Sequence, residues 1–185
     1  MRITVLTSIL GLAFASSSQA MVLATFQFNK GSLNPTSEAF DGSTSAIKLG
    51  SNITVDTQNG TLSADPNTNY TSENNRVSFK YTVTGLKPGE TLTLDSASLN
   101  YAGIGPSVRV DFVVGSTFNP STDPADGSGT FTRALSASGL TNGQTVTIHF
   151  GIRDSATTTD TYTLDNLTLK GTVEPQPSSY AQPSS

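Results

Sequence analysis

The chain has no cysteine, no tryptophan and a single histidine, His149. Without cysteine there are no disulfides, no thiolate zinc or iron–sulfur sites and no thiol nucleophile. Charged residues make up only 13% and hydrophobic residues 35%, so neither a charge-driven surface nor an oversized core is on offer. Helical spacing of apolar residues is nearly absent beyond the first twenty positions, which argues against bundles and against βαβ units. A basic stripe is missing too. The formal net charge is −4, and losing Arg2 with a leader leaves 9 basic against 14 acidic residues, or −5. Nucleic acid is therefore not an expected partner, and nothing draws the chain to anionic lipid.

What is present begins with a leader. Met1-Arg2 gives a short positive start, "ITVLTSILGLAFA" (Ile3 to Ala15) is uncharged and apolar, and "SSSQA" ends in Ser18-Gln19-Ala20, a small-x-small cleavage pattern. The run is too short to span a bilayer, so residues 1–20 read as a signal peptide. The expected product is exported, with no membrane span in the mature chain. Lacking disulfides, it must be held by its core, which roughly 150 residues can supply.

Period-two alternation fills residues 21–172. "RVSFKYTVT" alternates Val77, Phe79, Tyr81 and Val83 with polar residues. "SVRVDFVV" does so with Val108, Val110, Phe112 and Val114, and "TVTIHFGIR" with Val146, Ile148, Phe150 and Ile152. One buried and one wet face per strand means antiparallel sheets. Asn59-Gly60 predicts a hairpin turn, and Pro88-Gly89 and Asn142-Gly143 introduce further strands. Together these predict an all-β domain of about nine or ten strands, a two-sheet antiparallel β-sandwich that is jelly-roll-like. "GLKPGETLTL" (Gly85 to Leu94) echoes "GLTNGQTVTI" (Gly139 to Ile148). The period is too long for a repeat array, so shared turn chemistry with a leucine plugging the sandwich end is the preferred account.

Two strands change phase, each at an aspartate. In "TYTLDNLTLKG", Tyr162 and Leu164 share one parity, Leu167 and Leu169 the other; in "TLTLDSASLNY", Leu92 and Leu94 differ from Ala97, Leu99 and Tyr101. Each needs a bulge. Asp165 has the parity of Leu167, which would turn it inward, where an unpartnered carboxylate costs several kcal/mol. Two accounts stay open. Asp165 either accepts backbone hydrogen bonds at the bulge, or belongs to a structural calcium site whose further oxygens come from Asn29, Glu38 and Asp41.

No enzymatic constellation is expected. His149 stands alone on a polar strand face, and no Gly-x-Ser-x-Gly elbow occurs. Asp111 lies next but one to Arg109 on a polar face, which predicts a solvated ion contact, and no second carboxylate is placed opposite for glycoside cleavage. Sugar binding by a sandwich favours exposed aromatic platforms. With Tyr81 and Tyr162 at core parity and Tyr180 in the tail, Tyr70 and Tyr101 are the candidate ligand-binding rings.

Residues 173–185, "VEPQPSSYAQPSS", are rich in proline and serine and predict an extended, disordered, solvated tail. With the leader, the "LDNLTLKGTV" exit and "PSSYA" (Pro177 to Ala181), the chain resembles PEP-CTERM exported proteins. The resemblance implies a variable, often β-rich domain and a tail read as a sorting signal in Gram-negative bacteria that make exopolysaccharide. Glu174-Pro175-Gln176-Pro177 stands where the family has Pro-Glu-Pro, and no apolar helix or arginine cluster follows. The expectation is therefore a degenerate or truncated form of that signal. The expected role is non-enzymatic, structural or adhesive, at the cell surface or in extracellular matrix, with extracellular polysaccharide as partner. The alternative is a carbohydrate-binding module of jelly-roll type. The sequence leaves oligomeric state open.

Overall fold

The computed structural model describes Ser18 and residues 20–38, 42–64, 75–105, 108–115, 126–154 and 162–175. Its strands, in chain order, are β1 (Met21–Phe26), β2 (Ser37–Glu38), β3 (Ser43–Thr44), β4 (Lys48–Leu49), β5 (Ile53–Asp56), β6 (Thr61–Ala64), β7 (Arg76–Thr82), β8 (Thr91–Ile104), β9 (Val108–Val114), β10 (Gly127–Leu140), β11 (Thr145–Asp154) and β12 (Tyr162–Glu174). The large sheet runs β10–β8–β12–β1–β2, with β6 beside the first part of β12 and β5 beyond it. The small sheet runs β3–β7–β11–β9, with β4 also on β7. All pairings are antiparallel.

From β7 to β12 the chain alternates between sheets at every step, small then large. This weaving places the last strand between the first strands and β8, and it is the jelly-roll connectivity that the short half-buried strands predict. The alternation holds in detail. Val77, Phe79, Tyr81, Ile148, Phe150 and Ile152 are all buried, and they meet Leu23, Phe26, Leu94, Leu99, Leu164 and Leu169 in a single core. Aromatic contacts stitch the layers. Phe26 of the large sheet lies 5.0 Å from Phe79 of the small one, and Phe131 of β10 lies 6.0 Å from Phe112 of β9. Such ring pairs add about 0.5–1.5 kcal/mol beyond their buried area.

Both phase changes are bulges. Asp165 pairs with Asn100 and Thr168 with Ser98, so Asn166 and Leu167 together oppose Leu99. Asn166 sits at φ 50°, the left-handed conformation that a bulge of this kind demands and that asparagine tolerates best after glycine. The extra residue turns Leu167 inward after Leu164, and both are buried. In β8, Leu94 pairs with Gly171 and Ser96 with Lys170, leaving Asp95 as the extra residue. Gly171 at this point is required by packing, since a Cβ would lie 2.7 Å from both Thr93 O and Leu23 Cδ1.

The echoed segments form matching turns at one end of the sandwich. Glu90 N donates to Lys87 O, and Gln144 N to Thr141 O. Lys87 N donates to Glu90 Oε2, as Thr141 N does to Gln144 Oε1. Asn142 joins the two turns, accepting from Leu86 N and donating to Leu86 O. Leu86 is buried beneath them and Leu140 half-buried. The Asn59-Gly60 hairpin closes as expected, with Asp56 paired to Thr61. The Asp56 carboxyl is held below its ordinary range by the Asn59 N–H, then the Asn59 amide and the Gln58 N–H. One boundary moves. β12 continues past residue 172, because Val173 pairs with Leu92 and Glu174 with Thr91.

Candidate functional site

The aromatic platform expected from the sequence does not form at Tyr101. This ring is buried at 7% exposure, and its hydroxyl approaches within 2.9 Å of where a Cβ on Gly129 would stand. The bulge at Asp95 is the cause, because it moves Ala97, Leu99 and Tyr101 together onto the core side. Tyr70 lies outside the described residues.

Asp165 faces outward rather than inward, and of its two accounts the backbone hydrogen bond at the bulge is the one present. The bulge falls after it rather than before it, so Asp165 keeps the outward parity of Thr163 and is only half-buried. Its Oδ1 accepts from Asn166 N at 2.6 Å and its Oδ2 from Asn166 Nδ2 at 2.9 Å. Of the other calcium candidates, Asn29 follows β1 in a short turn, where its amide donates to Gln27 Oε1. Glu38 lies on β2, one residue beyond the Thr25–Ser37 pair. Asp41 is outside the described residues. Among the described residues no three His, Cys, Asp or Glu side chains gather as a metal site.

Asp111 departs from expectation too. It is buried, and its partner is Arg133 of β10 rather than Arg109. The Arg133 Nε lies 3.2 Å from Asp111 Oδ1, as an ion contact without the alignment of a hydrogen bond. The Arg133 side chain is 48% exposed against 8% for Asp111, so the pair spans the open edge where β9 and β10 border each other. Burial pushes the Asp111 carboxyl above its ordinary range, while Arg133 and the Phe112 N–H pull it back. Alternation alone placed this residue in water, and only the tertiary edge-to-edge approach covers it.

The arrangement that sequence reading missed is on the outer face of the small sheet. Register sets Lys48 beside Ser78 and Ser78 beside His149 across β4, β7 and β11. Arg76 and Lys80 flank Ser78 on the same face of β7. These five side chains, with Leu49 and Gly50, line a shallow pocket of about 240 Å³. His149 also lines the adjoining hollow formed with Val114, Gly115, Thr145, Val146 and Thr147. The two sheets differ in charge. Small-sheet strands carry Lys48, Arg76, Lys80, Arg109 and Arg153 against Asp111 and Asp154. Large-sheet strands carry Arg133 and Lys170 against Glu38, Asp56, Asp95, Asp165 and Glu174.

No family model and no curated protein matches the chain. Among solved structures it is similar to a family two carbohydrate esterase from Cellvibrio japonicus, with TM-score 0.38 and 13% identity over 87% of this chain and 36% of that one. The chain thus spans about a third of the esterase's length. It is also similar to the Stig cyclase Fisc from Fischerella sp. TAU, solved in complex with (3Z)-3-(1-methyl-2-pyrrolidinylidene)-3H-indole, with TM-score 0.33 and 13% identity over 90% of this chain and 93% of that one. Likeness this slight carries no argument about activity. Among the described residues no helix is long and apolar enough to cross a membrane.

Proposed function

We propose that the chain is an exported, non-enzymatic protein of the cell surface or extracellular matrix, structural or adhesive in role and associated with exopolysaccharide. The observation that carries this reading is how β12 is held. It is paired to β8 from Thr163 to Glu174, apart from the bulge, and on its other edge to β6 and then β1. The Pro/Ser-rich segment follows directly on Glu174, and Met21 pairs with Gly171, so both ends of the sandwich domain leave from the same pole. A load applied through the C-terminal segment would act along a central strand and shear two antiparallel ladders at once. That geometry suits a domain displayed on a tether.

Expression in an exopolysaccharide-producing Gram-negative host tests the reading. The expected result is cleavage after Ala20, measured by intact mass, with the protein enriched in the matrix or cell-surface fraction. Retention of the full chain in the cytoplasm, or turnover of a polysaccharide by the purified protein, would overturn it.

A further inference from the structure

We infer that the outer face of the small sheet is a binding site for an acidic polysaccharide, with Lys48, Arg76 and Lys80 receiving its carboxylate or sulfate groups around Ser78 and His149. The choice of polymer rests on the proposed extracellular role; the anion preference rests on the face itself. Five side chains from three strands converge there, though they lie as far apart in sequence as residues 48 and 149. Along β7, Arg76, Ser78 and Lys80 point the same way at steps of roughly 6.6–6.8 Å, and Lys48 and His149 stand about 4.8 Å to either side. This is a line of donors, which matches charges repeated along a chain rather than one compact ion. Beyond His149 the hollow continues past Thr145 and Thr147, whose hydroxyls suit the uncharged parts of a sugar.

Charge makes the face selective. The chain as a whole is net −4 while this face gathers Lys48, Arg76 and Lys80, so a polyanion is drawn to this face against the overall charge, with an affinity that falls as salt rises. A second copy offering its large sheet is the weaker partner. On that sheet Asp95 accepts from Thr172 Oγ1, Asp165 from Asn166 and Glu174 from Thr93 Oγ1, so these carboxylates already have partners in their own fold. Single-stranded nucleic acid is disfavoured because the outward positions of β7, β9 and β11 include no Phe, Tyr or Trp on which bases would stack.

The test measures binding of the exported chain to dextran sulfate, polygalacturonate and uncharged dextran, by biolayer interferometry over a range of salt. Both acidic polymers should bind, dextran should not, and binding should weaken with salt. Each exposed ion contact contributes a factor of about two to five, so Lys48→Gln with Lys80→Gln should weaken binding about five- to twentyfold. Both lysines are exposed, and an unchanged melting temperature will confirm that the variant folds. Lys170→Gln, on the large sheet, should leave affinity within about twofold. The inference falls if dextran binds as well as its sulfate, if neither acidic polymer binds, or if Lys170→Gln costs as much as the double variant. Tighter binding of duplex DNA than of either polymer would also overturn it. So would low-salt self-association that the double variant abolishes while polymer binding persists. If the double variant is still retained in the matrix fraction, the extracellular role stands and this site does not; if the chain binds acidic polymer but stays in the cytoplasm, the reverse holds.

Discussion

Removing Arg133 should harm the protein far more than removing Asp111, although the two form one pair. Asp111 is buried with its Oδ1 taking no hydrogen bond, whereas about half of the Arg133 side chain is in water. In Arg133→Met the carboxylate keeps only the Phe112 N–H and loses its counter-charge. Breaking a buried pair in this way costs about 3–5 kcal/mol, and partial screening at the sheet edge brings the expectation to roughly 2–4 kcal/mol. For a domain of about 150 residues that is a fall of roughly 5–15 °C in Tm at neutral pH. In Asp111→Asn the guanidinium returns to solvent and no charge stays buried, so the change should be within about 1 kcal/mol of either sign. The double variant should recover most of what Arg133→Met loses.

The pH dependence follows from the direction of the Asp111 shift. Its folded pKa lies above the unfolded value, because burial disfavours the charged form. The folded state therefore holds the proton more tightly. Stability from this site is fully present below the unfolded pKa and is lost as pH rises through the folded one. The deficit of Arg133→Met should accordingly be greatest near neutral pH and shrink as pH falls into the carboxylate range. Thermal melts of the wild type and three variants, followed by circular dichroism at both ends of that window, decide the matter. Equal losses for Asp111→Asn and Arg133→Met, or a deficit indifferent to pH, would refute the reasoning.

Three further outcomes are expected. Asn166→Gly should melt within about 1 kcal/mol of wild type, while Asn166→Val should lose roughly 1–2 kcal/mol or more, because a β-branched residue is strained at φ 50°; equal melting of the two would contradict the bulge. Tyr101→Ala should cost about 3–5 kcal/mol as a core truncation, yet Tyr101→Phe should leave glycan binding unchanged; selective loss of binding in a stably folded Tyr101→Phe would restore the ring as a ligand platform. EDTA should leave Tm unchanged, since both Asp165 oxygens already accept hydrogen bonds from Asn166; a drop reversed by calcium would show that a metal is held after all.

The parts of the fold visible in the sequence are those set by local rules. Alternation placed Val77, Phe79 and Tyr81 in the core, and the parity flips marked both bulges. The Gly-Leu-x-x-Gly echo announced two equivalent turns. Tyr101 shows the same logic left one step short. Its parity with Ala97 and Leu99 already assigned it to the core, and scarcity of other exposed rings is no argument against parity. The inward direction expected for Asp165 failed for a subtler reason, although the backbone hydrogen bond expected at its bulge is present. A phase change says that a bulge exists but not on which side of the aspartate it falls, and a one-residue difference decides whether the carboxylate faces protein or water. Asp111 lay beyond any local rule, because its cover comes from the approach of two sheet edges.

The basic face lies between these cases. Alternation gives the outward positions of each strand but not which strands lie side by side, so Lys48, Lys80 and His149 look like scattered surface residues. The expected topology supplies the missing step. If consecutive long strands weave between two sheets, then every second strand shares a face, and outward charges should be added along β7, β9 and β11 separately from β8, β10 and β12. Done that way, Arg76, Lys80 and Arg109 fall together against Asp111, while Asp95, Asp165 and Glu174 gather with Arg133 and Lys170 on the other sheet. A chain whose net charge is modest and negative thereby carries faces of opposite sign. What it attracts is decided by that division, which neither the total charge nor any single strand displays.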